Sequence, residues 1–132
     1  MEKHCSNAAV VADYLLKHPA IAKVNYNGLP DHPDYLVSRK QICHAGPVLS
    51  FELAKGMEAG KRFINQLNMC VRTVSVGTVD TLVSHPASMS HSRMTKVDRI
   101  KSGITDGLIR MSVGIEPIEA ILDDLKQALQ TL

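Results

Sequence analysis

The sequence predicts a two-layer α/β (α+β) domain, in which helices pack on one face of a single sheet. Segments with helical periodicity alternate with short segments rich in β-branched residues, and this alternation is typical of that class. The 132 residues fit one domain. Aromatic residues make up only 4% of the chain, so Leu, Ile, Val, Met and Ala must form most of the core.

Several segments carry the spacing or the end signals of helices. Residues 6–17 repeat Ala and Leu at helical spacing, and the helix must end before Pro19, because the residue preceding a proline disfavours the α region. Pro33 suits the first turn of a second helix. The helix that Pro117 opens has the cleanest apolar stripe, and Glu116 can cap it. The predicted helices span 6–17, 32–41, 57–67, 95–101 and 117 onward, with a short helix possible at 80–84.

Other segments have the composition or the period of strands. In residues 47–53, Leu49, Phe51 and Leu53 alternate with Val, Ser and Glu, which predicts a strand with one buried face. Residues 69–76 are rich in β-branched side chains and end at a glycine. The predicted strands span 22–26, 47–53, 69–76 and 108–113, and residues 85–88 are predicted to be irregular.

Charge and cysteine usage exclude several classes of protein. The chain has 15 basic and 13 acidic residues, which are interspersed, so it lacks the basic patch of a nucleic-acid-binding protein. No apolar run approaches the roughly 20 residues that span a bilayer. The three cysteines, Cys5, Cys43 and Cys70, are widely spaced and odd in number, which argues against a disulfide framework. These features favour a reducing, cytoplasmic setting.

Arg110 is the strongest candidate for a binding residue. In a strand over 108–113, Ile109 and Met111 would enter the core, while Arg110 and Ser112 would emerge on the opposite face. An arginine rooted in the middle of a strand is held firmly, and its planar fork suits a carboxylate. The alternative from periodicity alone is a solvated arginine on the sheet surface, paired with Glu52.

Other polar residues give weaker signals. Ser75 precedes Gly77 at a predicted strand end, where a hydroxyl and free N–H groups form a modest anion site, or simply an ordinary turn. His85 and His91 have no nearby carboxylate or cysteine, so capping, turn or surface roles are predicted rather than metal binding. Lys96 is predicted to lie at an exposed helix start. A lysine that forms a Schiff base must be desolvated, so Lys96 is not predicted to be one.

Longer strings of the sequence resemble a known family, the Cys/Met-metabolism PLP-dependent enzymes, where PLP is pyridoxal phosphate. The opening Met-Glu-Lys-His-Cys most resembles the methionine γ-lyases of that family. The resemblance covers essentially the whole chain in order. The matching strings are residues 1–8, 25–33, 50–53, 74–77, 85–91 and 103–116.

The resemblance implies that residues 1–132 are the small carboxy-terminal domain of a fold type I PLP enzyme, with a mostly antiparallel sheet and helices on one face. It implies carbon–sulfur lyase or transferase chemistry on sulfur amino acids, as in trans-sulfuration, and homotetramers of the intact enzyme. The large PLP-binding domain, with its Schiff-base lysine, is expected outside this chain. Neither catalytic residues nor bound PLP nor a metal is therefore expected in the chain alone, which should be inactive.

The resemblance also implies roles for three residues of the chain. Arg110 matches the arginine that binds the substrate α-carboxylate, and Ser75 matches the serine beside it. Ser90 stands where the family often has threonine and would be a third contact. The chain departs from the family at Val76 and Thr78, where Leu and Gly are common. Val74 also is not the Glu of some γ-lyases, so the family member and its substrate stay open. A stand-alone amino-acid-binding regulatory domain and a non-catalytic assembly fragment are the alternatives.

Overall fold

The computed structural model describes residues 1–132 and contains helices α1–α5 and strands β1–β5. The helices are α1 (Glu2–Leu16), α2 (Tyr35–Gln41), α3 (Gly56–Gln66), α4 (Lys96–Lys101) and α5 (Ile118–Leu129). The strands are β1 (Ile21–Asn25), β2 (Val48–Leu53), β3 (Val71–Arg72), β4 (Leu82–Ser84) and β5 (Leu108–Ser112). None of the helices is both long enough and apolar enough to cross a membrane.

The strands form one five-stranded sheet in the order β1-β2-β5-β4-β3. All neighbouring strands are antiparallel except β3 and β4, which are parallel. The last strand of the chain therefore lies at the centre of the sheet, between β2 and β4. The predicted fold class, a two-layer α+β domain with a mostly antiparallel sheet, is confirmed.

The core lies between one face of the sheet and helices α1, α3 and α5. Phe51 of β2 and Met111 of β5 are fully buried on that face, and Phe63 of α3 meets Phe51 edge-to-face with ring centroids 5.6 Å apart. Val11 and Leu125 contribute the buried stripes of α1 and α5. This arrangement follows from the period of two in the strands and the 3.6-residue period in the helices.

The opposite face of the sheet carries a row of polar side chains. Ser50 of β2 and Ser84 of β4 lie opposite Arg110 of β5, and Asn25 of β1 lies opposite Ser50. The Asn25 amide donates to the Ser50 hydroxyl over 3.3 Å. The predicted strand face of Arg110 is therefore correct: its side chain starts on the face away from the helices.

One predicted helix start and one predicted helix cap are wrong. Helix α1 begins at Glu2 rather than at residue 6, and Asn7, inside this helix, donates its amide to the carbonyls of Gly114 and Glu116. Glu116 does not cap α5, because its carboxylate accepts from the backbone and the hydroxyl of Thr81.

Two further predictions fail between residues 69 and 84. The predicted strand 69–76 is reduced to β3, Val71–Arg72, because the chain then leaves the ladder and is held by side chains of β5. The segment 80–84, for which a short helix was possible, instead forms β4, Leu82–Ser84. Pairing with β5 stabilises this strand, and all of its residues are buried.

Candidate functional site

Arg110 occupies the centre of the polar sheet face and is held by the backbone of a neighbouring segment. Its Nη2 donates to the carbonyl of Val74 over 2.7 Å and to the carbonyl of Ser75 over 2.9 Å. The alternative pairing with Glu52 is not formed, because Glu52 lies opposite Leu108 and no ion pair joins it to the guanidinium. The only partners of this cation are uncharged.

The Arg110 guanidinium keeps unused donors. Its Nε is buried and has no hydrogen-bond partner, and Nη1 makes no hydrogen bond. A buried donor without a partner costs free energy until an acceptor reaches it. A carboxylate would supply both acceptors and negative charge, so this half-buried cation can bind an anion that approaches the sheet face.

Ser75 lies in an exposed segment that we call the 74–78 strap. The backbone of the strap makes no backbone–backbone hydrogen bond. The backbone bonds next to it are Thr73 N–H to Val83 O, at 3.0 Å, and Ile115 N–H to Val79 O, at 2.9 Å. Between these points the strap is held by side chains, chiefly Arg110. The structure therefore brings Ser75 and Arg110 into direct contact, through the Ser75 carbonyl.

Gly77 turns the strap back towards the sheet. Its φ of +82° lies in the left-handed region that favours glycine. Its N–H points at the Ser112 hydroxyl, 3.3 Å away, and Ser112 is only 2% exposed. Ser112 and Arg110 are two residues apart on β5, so side chains of this strand contact the strap at two places. The sequence placed Ser112 on this face but gave it no role.

Ser90 is not part of this arrangement. It is exposed, and its hydroxyl lies 2.8 Å from Nδ1 of the adjacent His91. It makes no hydrogen bond to Ser75 or Arg110. Of the three predicted contacts, the structure brings together Arg110 and Ser75.

His85 is fully buried, so a surface role is wrong. Its Nδ1 lies 2.8 Å from the Ser88 hydroxyl and its Nε2 lies 2.8 Å from the carbonyl of Asp106. The ring packs against Gly60 of α3, where a Cβ would collide with it. Burial lowers the pKa of His85, which favours the neutral ring. Ser88 is only three residues away, but Asp106 and Gly60 lie far along the chain, so no local pattern could have revealed that the ring is buried.

Glu116 and Thr81 form a second polar contact that the sequence did not reveal. The Glu116 carboxylate accepts from Thr81 N over 2.6 Å and from the Thr81 hydroxyl over 2.8 Å. The same hydroxyl accepts from Gly114 N over 2.9 Å. This contact fastens the chain beyond the strap to the end of β5.

None of the lysines of the chain is buried. Lys96, which follows Thr95, makes a surface ion pair with Asp106 over 2.7 Å, and the other lysines are exposed as well. Hydrogen bonds from Lys96 and then from Arg99 lower the pKa of Asp106, so its carboxylate stays charged. No cluster of three or more potential metal ligands is present.

The surface around Arg110 is open. Four cavities are present, the largest of about 440 Å³ between α1 and α2, and none is lined by Arg110, Ser75 or Ser90. The candidate site is therefore an open surface rather than a closed pocket.

Comparison with known proteins finds close relatives over the whole chain. The L-methionine gamma-lyase of Fusobacterium nucleatum subsp. nucleatum is 50% identical over 132 residues, and that of Porphyromonas gingivalis is 47% identical over 132 residues; each match covers 100% of this chain and 33% of the relative. The cystathionine beta-lyase of Coxiella burnetii is 41% identical over 129 residues, which are 98% of this chain and 33% of that protein. The chain thus spans about a third of the length of these relatives.

A solved structure gives the same result. The cystathionine gamma-lyase of Lactobacillus plantarum, crystallised with L-serine, superposes with a TM-score of 0.91 at 37% identity, over 98% of this chain and 34% of that one. The sequence profile described as Cys/Met metabolism PLP-dependent enzyme matches residues 1–130. The chain belongs to the Cys/Met metabolism family of PLP-dependent enzymes.

Proposed function

We propose that this chain is the carboxylate-binding, carboxy-terminal domain of a PLP-dependent carbon–sulfur lyase of the methionine γ-lyase type. The observation that carries the proposal is Arg110, a cation at the centre of an open sheet face with unused donors and no carboxylate partner. Identities of 50% and 47% with two L-methionine gamma-lyases support this type of enzyme.

The role of Arg110 is to bind and orient the α-carboxylate of a sulfur amino acid. A guanidinium donates two parallel N–H bonds to a carboxylate, which fixes the direction of the bound molecule as well as its position. Since Arg110 is rooted in the central strand, the carboxylate is held by the sheet itself and not by a loop. Fixing one end of the substrate orients its reacting bonds, which is a contribution of position rather than of proton transfer.

Ser75 and Ser90 complete the proposed contact set. The Ser75 side chain is exposed beside the guanidinium, and its hydroxyl can donate to the same carboxylate. Ser90 lies on another exposed segment and would reach the substrate from a different side of the cleft. Its role rests on the family resemblance and not on a contact with Arg110.

The remainder of the enzyme, in this proposal, lies outside this chain. The chain covers 33% of its relatives, and its exposed lysines do not suit a Schiff base. We therefore assign the cofactor to a large domain that faces Arg110, and we expect the chain alone to be inactive. A homotetrameric enzyme and a cytoplasmic location stay predictions; three free cysteines are consistent with a reducing compartment.

The test is an arginine substitution in the full-length enzyme that contains this chain. Arg110→Ala should weaken amino-acid binding at least about tenfold, because a charge-assisted pair of hydrogen bonds is lost. Arg110→Lys should recover only part of this loss, since an ammonium has no planar fork. Binding of a non-reacting amino acid and KM should both be measured.

The matched control is Arg72→Ala. Arg72 is an exposed arginine of edge strand β3 whose only hydrogen-bond partner is Asn65. It should leave binding unchanged. If Arg110→Ala binds amino acids as tightly as the unmodified enzyme, Arg110 does not hold the carboxylate and the proposed function is wrong.

A further inference from the structure

The hydrogen bonds of Arg110 engage the nitrogen that a bidentate carboxylate needs. A guanidinium has two forks, one formed by Nη2 with Nη1 and one formed by Nη2 with Nε. Both forks need an N–H of Nη2. In this structure Nη2 already donates to the carbonyls of Val74 and Ser75 at the same time.

A bidentate carboxylate therefore competes with the two strap carbonyls for Nη2, and we expect it to displace one of them. This step removes part of what holds the strap on the sheet, because the strap has no backbone–backbone bond of its own. One Arg110–carbonyl bond then remains, and it alone holds Ser75 less firmly at the moment when its hydroxyl is needed. A second contact that does not involve Arg110 would keep the strap in place during the exchange.

The Ser112 hydroxyl is suited to this task. It accepts from Gly77 N, two residues beyond Ser75, and it belongs to the same strand as Arg110. It is buried, so water competes poorly for the contact. His4 lies 3.3 Å from the Thr78 carbonyl, but this contact is exposed and farther from Ser75.

We propose that Ser112 is a positioning residue that retains the 74–78 strap on β5 while Arg110 exchanges a strap carbonyl for the substrate carboxylate. The proposal rests on the proposed function, since it assumes that Arg110 binds the carboxylate. It adds a residue to the binding step and states that this step is an exchange at a preformed contact. Ser112 acts through Gly77 and the strap, and does not touch the substrate.

The test uses the full-length, cofactor-loaded enzyme that contains this chain. Ser112→Ala should raise KM for the amino acid roughly three- to tenfold, the equivalent of one hydrogen bond, and change kcat less than about twofold. Amide hydrogen exchange in a peptide covering the strap should become faster, because the Gly77 N–H loses its acceptor. Ser112→Thr keeps the hydroxyl and should restore both the KM and the exchange rate of the strap.

The control is Ser102→Ala, which removes an exposed hydroxyl at the end of α4. It should change neither the KM nor the exchange rate of the strap. A KM and a strap exchange rate in Ser112→Ala equal to those of the unmodified enzyme would overturn the proposal. So would a Ser112→Thr variant as impaired as Ser112→Ala, since the hydroxyl would then not be responsible. Arg110→Ala distinguishes failure of the proposed function from failure of the positioning role. If Arg110→Ala weakens binding and Ser112→Ala does not, only the positioning role of Ser112 fails.

Discussion

Asp124 of α5 offers a sharp test of how the segment before β3 is held. Its two carboxylate oxygens accept from Asn68 N at 2.8 Å, Met69 N at 3.0 Å and Cys70 N at 2.8 Å, and the Gln127 amide donates to it at 3.1 Å. Asp124→Asn preserves the shape but turns one acceptor into a donor. Whichever way the amide is placed, at least one of these N–H groups then faces another donor.

The magnitude follows from the number of bonds that are lost. A hydrogen bond to a charged group contributes about 1.5–3 kcal/mol, and a buried donor without an acceptor costs about 1–3 kcal/mol. We expect Asp124→Asn to lower the free energy of unfolding by about 2–4 kcal/mol, a large share of the roughly 5–15 kcal/mol of a typical domain. Urea unfolding at neutral pH measures this change. Asp123→Asn, at the exposed neighbouring position, is the control and should stay within about 0.5 kcal/mol.

The effect should depend on pH. Burial alone raises the pKa of Asp124, but backbone N–H bonds from Cys70, Asn68 and Met69 outweigh it and lower the pKa below the ordinary 3.8. The ionised form therefore stabilises the fold above the unfolded pKa, and this contribution is lost as pH falls through the folded value. The difference between Asp124→Asn and the unmodified chain should shrink in acid. A difference that is absent at neutral pH, or that grows in acid, would refute the reasoning.

Two further predictions concern the buried groups. Gly60→Ala should lower the melting temperature, because the new methyl group meets the His85 ring, which hydrogen bonds hold on both sides. Overpacking of this kind costs about 1–3 kcal/mol, whereas alanine gains up to about 1 kcal/mol in helix propensity, so the loss is larger. An unchanged or higher melting temperature would show that the ring can yield. In the native protein iodoacetamide should alkylate Cys43 much faster than Cys70, because Cys43 is exposed while burial, with Asp124 nearby, raises the pKa of Cys70. Mass spectrometry measures both rates, and equal rates would contradict the buried position of Cys70.

The sequence was sufficient for features that depend on local periodicity. The alternation in 108–113 placed Arg110 and Met111 on opposite faces, and the structure agrees. The apolar stripe after Pro117 predicted α5, which spans Ile118–Leu129. These predictions succeeded because the side chains of one strand or helix determine them.

The failed predictions involve partners far apart in sequence. Residues 69–76 have the composition of a strand, but the carbonyls of Val74 and Ser75 in their second half accept from the Arg110 side chain instead of from a neighbouring strand. Glu116 suited a helix cap, yet its partner Thr81 is 35 positions away. Neither interaction leaves a trace in the local pattern, so only the fold could reveal them.

The short strand at one edge of the sheet has a consequence for self-association. An exposed edge with free N–H and C=O groups can pair with another chain and start aggregation. Here β3 offers only two residues before the strap turns away, and the opposite edge, β1, has an irregular register next to the exposed Lys23. The departure of the chain from the ladder, which supplies Arg110 with its carbonyl partners, therefore also blunts an edge that could otherwise template a cross-β assembly.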